Sequence, residues 1–435
     1  MWYTESQGYG SDGGRLAKIG RITMKGKITE YSRGLTSTSF PTGIVTGPDG
    51  NMWFVESAGR PGRPRKALEK ERGMRAIRFT IVIALNAFAI TLAGCSNASS
   101  VVPGTGLQQR ASQPSPPAKG VKITEFADLP QQSSGYYGPT AITSGPEKSL
   151  WATDVIDQDF GENVVVQIAT SGKQVHAFYY SGLSTEGASF VDIAPGPDGM
   201  LWITDEYNGQ ILSMTTGGQY AGYLLNNFLA PLGIVTGPDR ALWFAERGGS
   251  ASQIGRITTH GEITNYPAAG GPTGIAAGPD KALWFTEFDA SAIGRITTKG
   301  KVTTYSKGIT PNSEPYSIAP GPDGALWFTE FAGGRIGRIT TDGKVAEYSK
   351  GITPSEQPVG IAAGPDGSMW FTESETYDSN GFRLAKIGRI TMSGKITEYS
   401  KGLTANSDPT DIVAGPDHNM WFVESAADRT GRVRI

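Results

Sequence analysis

The amino-acid sequence predicts an all-β fold: a seven-bladed β-propeller of four-stranded antiparallel blades over residues 121–435. A motif close to Gly-Pro-Asp-Gly-x-Leu-Trp-Phe-Thr-Glu recurs along this region, with its tryptophans 41 to 51 residues apart. This spacing is near the period of propeller blades. The last repeat also ends one strand short, and a matching strand begins near residue 121. The repeated tryptophans are Trp151, Trp202, Trp243, Trp284, Trp327, Trp370 and Trp421.

One repeat, residues 273–306, explains the four strands of a blade. Its apolar or alternating runs are GIAAG, ALWFTE, AIGRITT and KVTTYS. The second run is rich in aromatic residues, which favour strands. The segments GPDK and TKGK have the residues of tight turns. Each repeat therefore predicts one antiparallel blade.

The closure of the ring follows from what the last repeat lacks. That repeat contains DIVAG, NMWFVES and GRVRI, and then the chain ends. The segment VKITEFA at 121–127 resembles the fourth-strand sequence KITEYS. We expect it to complete the seventh blade, a 3+1 closure that leaves no free sheet edge.

Residues 74–95 have the pattern of a secretory signal. Met74 and two nearby arginines precede the apolar run 79–92, and the segment ends in LAGC. This ending resembles a bacterial lipobox, in which Cys95 would be lipidated and become the mature N terminus. A transmembrane anchor is the alternative, although the run is short for a full span. Residues 96–120 are polar and read as a flexible tether.

Residues 1–66 closely match the sequence from 369 toward the C terminus. We interpret them as an orphan partial propeller copy of about one and a half blades, followed by a junction at 67–73. Such a copy is too short to close a ring alone. The hypothesis is that translation starts at Met74 and that the protein is exported to the bacterial cell envelope and anchored through Cys95.

Composition limits the classes of partner. The net charge of −2 argues against nucleic acid and against general affinity for anionic lipid. The single cysteine cannot form an intrachain disulfide, and the three histidines are scattered, which disfavours a zinc site. We expect a monomer that meets the membrane only through its lipid anchor.

The predicted topology creates a loop-rich face, where strand one starts and strand two ends in every blade. Binding sites tend to lie on variable loops over a rigid scaffold. An acid three residues after each repeated tryptophan points toward this face. We expect either structural ion pairs with strand-three arginines (Arg256, Arg295, Arg338 and Arg389) or convergence near the channel rim on magnesium or calcium. The seven acids are Asp154, Asp205, Glu246, Glu287, Glu330, Glu373 and Glu424.

A second repeated position follows the proline that opens strand one. Its residue varies among blades, so it could set specificity or only fill the channel rim. The residues at this position are Thr140, Leu232, Thr273, Tyr316, Val359 and Thr410, with Val191 in a blade that lacks the proline.

The repeats GPDGALWFTE, IGRITT and GKITEY resemble those of the virginiamycin B lyase family of streptogramin B lyases. The resemblance covers about residues 121–435 and implies a seven-bladed propeller. It also implies a magnesium-assisted carbon–oxygen lyase, in which a base removes a proton alpha to the ester carbonyl of a cyclic depsipeptide.

Carried onto this sequence, the family's two catalytic histidines correspond to Thr273 and Tyr316. The acids correspond to Glu314 and Glu330, the candidate magnesium ligands. Because neither histidine is present, our leading hypothesis is a cell-envelope lipoprotein that binds an unknown small molecule or protein on its loop-rich face. A magnesium-dependent lyase using Glu314, Glu330 and Tyr316 is the alternative, and a purely structural envelope module is the third.

Overall fold

The structure, a computed structural model, describes residues 120–435 except 127–128, 130–137, 158–161, 182–187, 226–228, 249–250 and 375–384. Before residue 120 it describes only six short strands. The chain divides into two compact units, Met1–Gln109 and Arg110–Ile435. Cys95, most of the hydrophobic segment and nearly all of the predicted tether lie outside the described residues, so these assignments and the domain boundaries stay predictions. None of the described helices is long and apolar enough to span a membrane.

The first unit contains two three-stranded sheets. Strands β1–β3 form an antiparallel sheet, and in the sheet of β4–β6 the last two strands run parallel. The strands are β1 (Trp2–Glu5), β2 (Lys18–Ile22), β3 (Ile28–Tyr31), β4 (Phe40–Thr46), β5 (Met52–Ser57) and β6 (Met74–Ala76).

The second unit contains seven four-stranded antiparallel blades, as predicted. Blades one to three consist of β8 (Pro139–Ser144), β9 (Leu150–Asp157), β10 (Glu162–Ile168), β11 (Gln174–Ser181); β12 (Phe190–Pro195), β13 (Leu201–Asp205), β14 (Gln210–Met214), β15 (Tyr220–Leu224); and β16 (Ala230–Thr236), β17 (Leu242–Arg247), β18 (Gln253–Ile257), β19 (Ile263–Pro267). A 3-10 turn, Pro146–Lys148, joins the first two strands of blade one.

Blades four to six repeat this order, and blade seven takes its fourth strand from before blade one. They consist of β20 (Pro272–Ala277), β21 (Ala282–Glu287), β22 (Ala292–Thr297), β23 (Val302–Tyr305); β24 (Pro315–Pro320), β25 (Leu326–Glu330), β26 (Arg335–Ile339), β27 (Val345–Tyr348); β28 (Gln357–Ala363), β29 (Met369–Ser374), β30 (Lys386–Ile390), β31 (Ile396–Tyr399); and β32 (Pro409–Ala414), β33 (Met420–Glu424), β34 (Arg429–Arg434), β7 (Lys122–Phe126).

The ring closes as the sequence predicts. Strand β7 pairs antiparallel with β34, with Ile123 opposite Val433. Phe126 stacks on Trp421 with ring centroids 5.4 Å apart. The first strands of neighbouring blades contact one another around the whole circle, β32 meeting β8. These first strands therefore surround a central channel.

A repeated four-part contact holds the strands within a blade. In blade four, Trp284 is fully buried and stacks on Tyr305, and its Nε1–H donates to Asp280 Oδ1 at 3.0 Å. Arg295 lies over the same indole and donates to the other oxygen of Asp280 at 2.7 Å. The turn aspartate thus links strands two and three, while stacking links strand two to strand four.

Glycine is required where these aromatic rings approach the backbone. A Cβ at Gly278 would lie 2.4 Å from the Trp284 indole, and a Cβ at Gly294 would lie 2.1 Å from the Phe285 ring. Such distances are far below van der Waals contact. The Gly-Pro-Asp and Ile-Gly-Arg motifs therefore mark close backbone–ring packing.

Candidate functional site

The strand register places the predicted positions on one face. Pro315 at the start of β24 lies opposite Glu330 at the end of β25, and Pro409 lies opposite Glu424 in the same way. The start of strand one and the end of strand two therefore share an end of the propeller, as expected for the loop-rich face.

The seven repeated acids are all buried, with at most 2% of each residue exposed. Their partners include groups on strands three and four of the same blade. Gln253 Nε2 donates to Glu246 at 2.9 Å, and Thr304 Oγ1 donates to Glu287 at 2.9 Å. These two carboxyl groups therefore contribute to the packing of their own blades.

The prediction that Arg256, Arg295, Arg338 and Arg389 pair with these acids is wrong. Arg295 lies opposite Trp284 in the strand register, three residues before the acid Glu287. Its guanidinium accordingly reaches the turn at the opposite end of the blade, where it pairs with Asp280. The other arginines make the same 2.7 Å pairs, Arg256 with Asp239, Arg338 with Asp323, and Arg389 with Asp366.

In blades five to seven the buried acid lies beside a second glutamate. Burial and then Glu347 raise the pKa of Glu330 to about 8, and burial with Glu125 nearby raises the pKa of Glu424 to about 8. Burial and Glu398 likewise raise the pKa of Glu373 well above its ordinary value. Glu330 and Glu424 therefore hold a proton near neutral pH.

The second glutamate of each pair fixes the loop that precedes the next blade. Glu347 accepts hydrogen bonds from the Thr310 backbone N–H at 2.5 Å and from its hydroxyl at 2.7 Å. Glu398 binds Thr353 in the same way, and Glu125 binds Thr404. The repeated Ile-Thr-Glu sequence of strand four thus supports the loop-rich face.

Glu314 is half-buried and has a left-handed backbone, with φ 54°. Its carbonyl accepts a hydrogen bond from Phe331 N–H at 3.0 Å. Left-handed conformations are uncommon outside glycine. The same conformation occurs before the proline of blade seven, at Asp408 (φ 54°), and at Gly271 (φ 67°) in blade four. The geometry therefore belongs to the repeat.

Thr273 is buried at 6% exposure and bound within the scaffold. Its hydroxyl lies 2.7 Å from that of Thr286, which donates to the Tyr316 carbonyl at 2.8 Å. In blade one, the hydroxyls of Thr140 and Thr153 also lie 2.7 Å apart. Threonine at this position joins neighbouring blades, and the second threonine of each pair is a residue that sequence reasoning missed.

Tyr316 differs from its equivalents in other blades because 40% of it is exposed. Its ring contacts Phe288 with centroids 6.3 Å apart and Phe331 with centroids 6.0 Å apart. Arg247 lies over the other ring, with Cζ 4.6 Å from the Phe288 centroid, and pairs with Asp289 at 2.5 Å. Sequence reasoning missed these neighbours, although each of Arg247, Phe288 and Phe331 directly follows a repeated acid.

Two aspartates on first strands, Asp192 and Asp411, were also missed. They occupy a position where the other blades have glycine, alanine or serine. This departure from the repeat pattern could have identified them in the sequence. Burial and the proximity of Asp411 raise the pKa of Asp192 to about 7, and burial raises that of Asp411 to about 6. Each carboxyl accepts one N–H from its own strand and one from the next blade: Ile193 and Ile234 for Asp192, and Ile412 and Ile142 for Asp411.

The donor set for the expected magnesium ion is small. Over the part of the chain that is described, no group of three or more His, Cys, Asp or Glu side chains could hold a metal. Magnesium requires oxygen ligands in near-octahedral geometry. The described residues therefore provide no preformed cluster of this kind around Glu330.

The fold defines a seven-bladed β-propeller of four-stranded antiparallel blades. Residues 121–376 match the Virginiamycin B lyase family. The chain belongs to this family. No curated protein sequence matches the chain.

Solved structures of two lyases resemble the propeller. Virginiamycin B lyase from Staphylococcus aureus, in its selenomethionine form, is 33% identical over 72% of this chain and 99% of that chain, with a TM-score of 0.62. A catalytically inactive variant of that enzyme with quinupristin has the same identity and coverage, with a TM-score of 0.61. A streptogramin B lyase is 32% identical over 72% of this chain and 97% of that chain, with a TM-score of 0.60.

Proposed function

We propose that this propeller binds a small molecule at the mouth of its channel on the loop-rich face. The observation that carries the proposal is the exposed ring of Tyr316 between Phe288 and Phe331. Other blades have threonine, valine or leucine at the Tyr316 position. Aromatic walls beside a few polar groups are typical of small-molecule sites.

Binding rather than catalysis is supported by the state of the candidate proton-transfer groups. A general base must be within hydrogen-bond reach of the proton it removes and must have a suitable pKa. Thr273 is buried and hydrogen-bonded to the scaffold. Partial burial and three nearby carboxyl groups raise the pKa of Tyr316 above its ordinary value of 10.0, so its hydroxyl stays protonated near neutral pH and is not available as a base.

A thermal-unfolding experiment tests ligand binding. The purified full chain is heated with a panel of aromatic compounds and cyclic esters, beside Tyr316→Ala and the matched control Tyr179→Ala. Tyr179 is also exposed but lies on the outer strand of blade one. A ligand that binds the folded state raises the melting temperature, and this rise should disappear only in Tyr316→Ala. Equal rises in all three proteins would refute binding at this mouth, and no rise in any would favour a purely structural module.

The second candidate is a carbon–oxygen lyase that opens a cyclic ester. The observation that favours it is the 33% identity to virginiamycin B lyase. The test is turnover of a streptogramin B antibiotic with and without magnesium. Turnover that Glu330→Gln abolishes, with unchanged thermal stability, would establish the lyase in place of simple binding.

We also propose that the protein is exported and anchored to the bacterial cell envelope. The sequence pattern before Cys95 supports this. Detergent-phase partitioning of the native protein and of Cys95→Ser tests the anchor, and only the native protein should enter the detergent phase. Mass spectrometry tests the start at Met74, because peptides from residues 1–73 in the native protein would contradict it.

A further inference from the structure

The mouth of the channel combines aromatic rings with an excess of carboxyl groups. Tyr316 lies accessible between Phe288 and Phe331, and the first strands that carry Asp192 and Asp411 surround the same channel. Both aspartates are half-buried, so part of each residue remains in contact with solvent. Two backbone N–H groups hold each carboxyl group, which fixes its orientation.

The charges around Tyr316 are unbalanced. Glu206, Asp411 and Asp192 all act on the Tyr316 hydroxyl, each disfavouring its negative form. Among the described residues, Arg247 is the cation that acts in the opposite direction, and its guanidinium already pairs with Asp289 at 2.5 Å. Within the described residues, no salt bridge joins a lysine or arginine to Asp192 or Asp411.

We propose that this mouth binds an organic cation, with its positive group at the ring of Tyr316 and facing Asp192 and Asp411. The inference rests on the proposed binding of a small molecule at the same place. It adds the charge and the chemical class of the ligand, which is an alkylammonium or quaternary ammonium compound with an apolar body.

Charge complementarity favours an organic cation over an anionic or a neutral ligand at this mouth. The face of an aromatic ring attracts a cation, and the attraction increases when water is excluded. The Arg247 guanidinium over the Phe288 ring is a cation–π contact of this kind within the chain. An anionic ligand would meet repulsion from Asp192 and Asp411. A neutral ligand would use the rings but leave the carboxyl groups without a countercharge.

An organic cation also fits better than a metal ion. The aspartate oxygens already accept backbone N–H groups, and the described residues contain no group of three ligands suited to a metal. Magnesium requires closely spaced oxygen ligands. A diffuse ammonium charge needs only nearby negative potential and an apolar surface, and the mouth supplies both.

Isothermal titration calorimetry on the full chain tests the proposal. The probes are choline, benzyltrimethylammonium and dimethylbutanol, the uncharged carbon isostere of choline. We expect saturable binding of both cations and at least tenfold weaker binding of dimethylbutanol. Tyr316→Leu and the double variant Asp192→Asn, Asp411→Asn should each weaken cation binding about tenfold or more, a loss of about 1.4 kcal/mol. Tyr179→Ala and Asp342→Asn, altered on exposed positions elsewhere, should bind as the unaltered protein does.

A second readout separates a charge effect from a packing effect. A bound cation favours the ionised aspartates, so affinity should increase from pH 5 to pH 8 and binding should release protons into the buffer. Both effects should disappear in the double Asn variant, provided that its melting curve remains cooperative. If the double variant does not fold, Asp192→Asn and Asp411→Asn are measured singly. Each should then reduce the pH dependence of the affinity and the release of protons.

The outcomes distinguish this inference from the proposed function. Dimethylbutanol bound as tightly as choline, with dependence on Tyr316, would overturn the cation proposal and keep small-molecule binding. The absence of saturable binding of either cation would also overturn it. If, in addition, no compound of the aromatic and cyclic-ester panel stabilises the fold through Tyr316, the proposed function fails as well.

Discussion

The buried carboxyl group of Glu330 lies beside that of Glu347, while Arg335 Nη1 stays 3.8 Å from it. Blades six and seven repeat the pairing of a buried acid with a strand-four glutamate. In each pair the strand-four carboxyl group binds the loop before the next blade, and the pKa of the buried acid is raised. Because protonation of these buried acids is coupled to folding, the stability of the propeller depends on pH.

We expect the free energy of unfolding to decrease as pH rises from 5 to 8. Burial and Glu347 raise the pKa of Glu330 from 4.5 to about 8 in the folded protein. The folded state therefore binds more protons than the unfolded state within this window, and the stabilisation is complete below pH 4.5 and lost by about pH 8. Urea unfolding at several pH values measures the trend. Glu330→Gln should reduce the slope by at most about 1.4 kcal/mol per pH unit. Stability that increases toward pH 8 would contradict this assignment.

The turn aspartates should have the opposite pH dependence. Although its partial burial opposes the shift, hydrogen bonds from Trp284 and Arg295 hold the pKa of Asp280 below 3.8. Its contribution is therefore present above pH 3.8 and lost as pH falls below that value. Asp280→Ala should cost about 1–3 kcal/mol at neutral pH, because Trp284, Arg295 and the Ala282 N–H lose their acceptor. Asp342→Ala, an exposed turn variant, is the control and should change stability by less than about 0.5 kcal/mol.

The packing of the closing strand β7 on blade seven should stabilise the ring and protect it from proteolysis. Phe126 stacks on Trp421 and lies under the Arg432 guanidinium, 5.4 Å from its Cζ. Phe126→Ala removes this contact and should cost about 2 kcal/mol, less than a fully buried phenylalanine, because Phe126 is only half-buried. Tyr305→Ala removes the equivalent ring from blade four and is the matched control. Limited proteolysis should cut the Phe126→Ala protein faster than the control near the paired strands β7 and β34. Equal rates of cleavage would argue that closure of the ring does not depend on this contact.

The repeats allowed the fold to be predicted, because glycine, tryptophan and turn aspartate recur wherever the backbone approaches a ring. The closure was also predictable, since KITEF at 122–126 has the sequence of a fourth strand. The partner of Arg295 was predicted wrongly, because the prediction did not consider which residues lie opposite each other in the antiparallel strands. In the structure Arg295 lies opposite Trp284 and not opposite Glu287. The neighbours of Tyr316 depend on how three blades meet at the channel. No local pattern contains that information.

The two histidine positions of the family should respond differently when histidine is introduced. Tyr316 is accessible, so Tyr316→His should fold with little loss of stability. Thr273 is buried, and its hydroxyl lies 2.7 Å from that of Thr286. A larger side chain there overpacks the blade interface, so Thr273→His should lower stability by about 1–3 kcal/mol. The double variant should therefore melt below Tyr316→His and should not open a streptogramin B ring. Melting curves and an assay of ring opening check this, and turnover by a stable double variant would show that the site retains the geometry of the lyases.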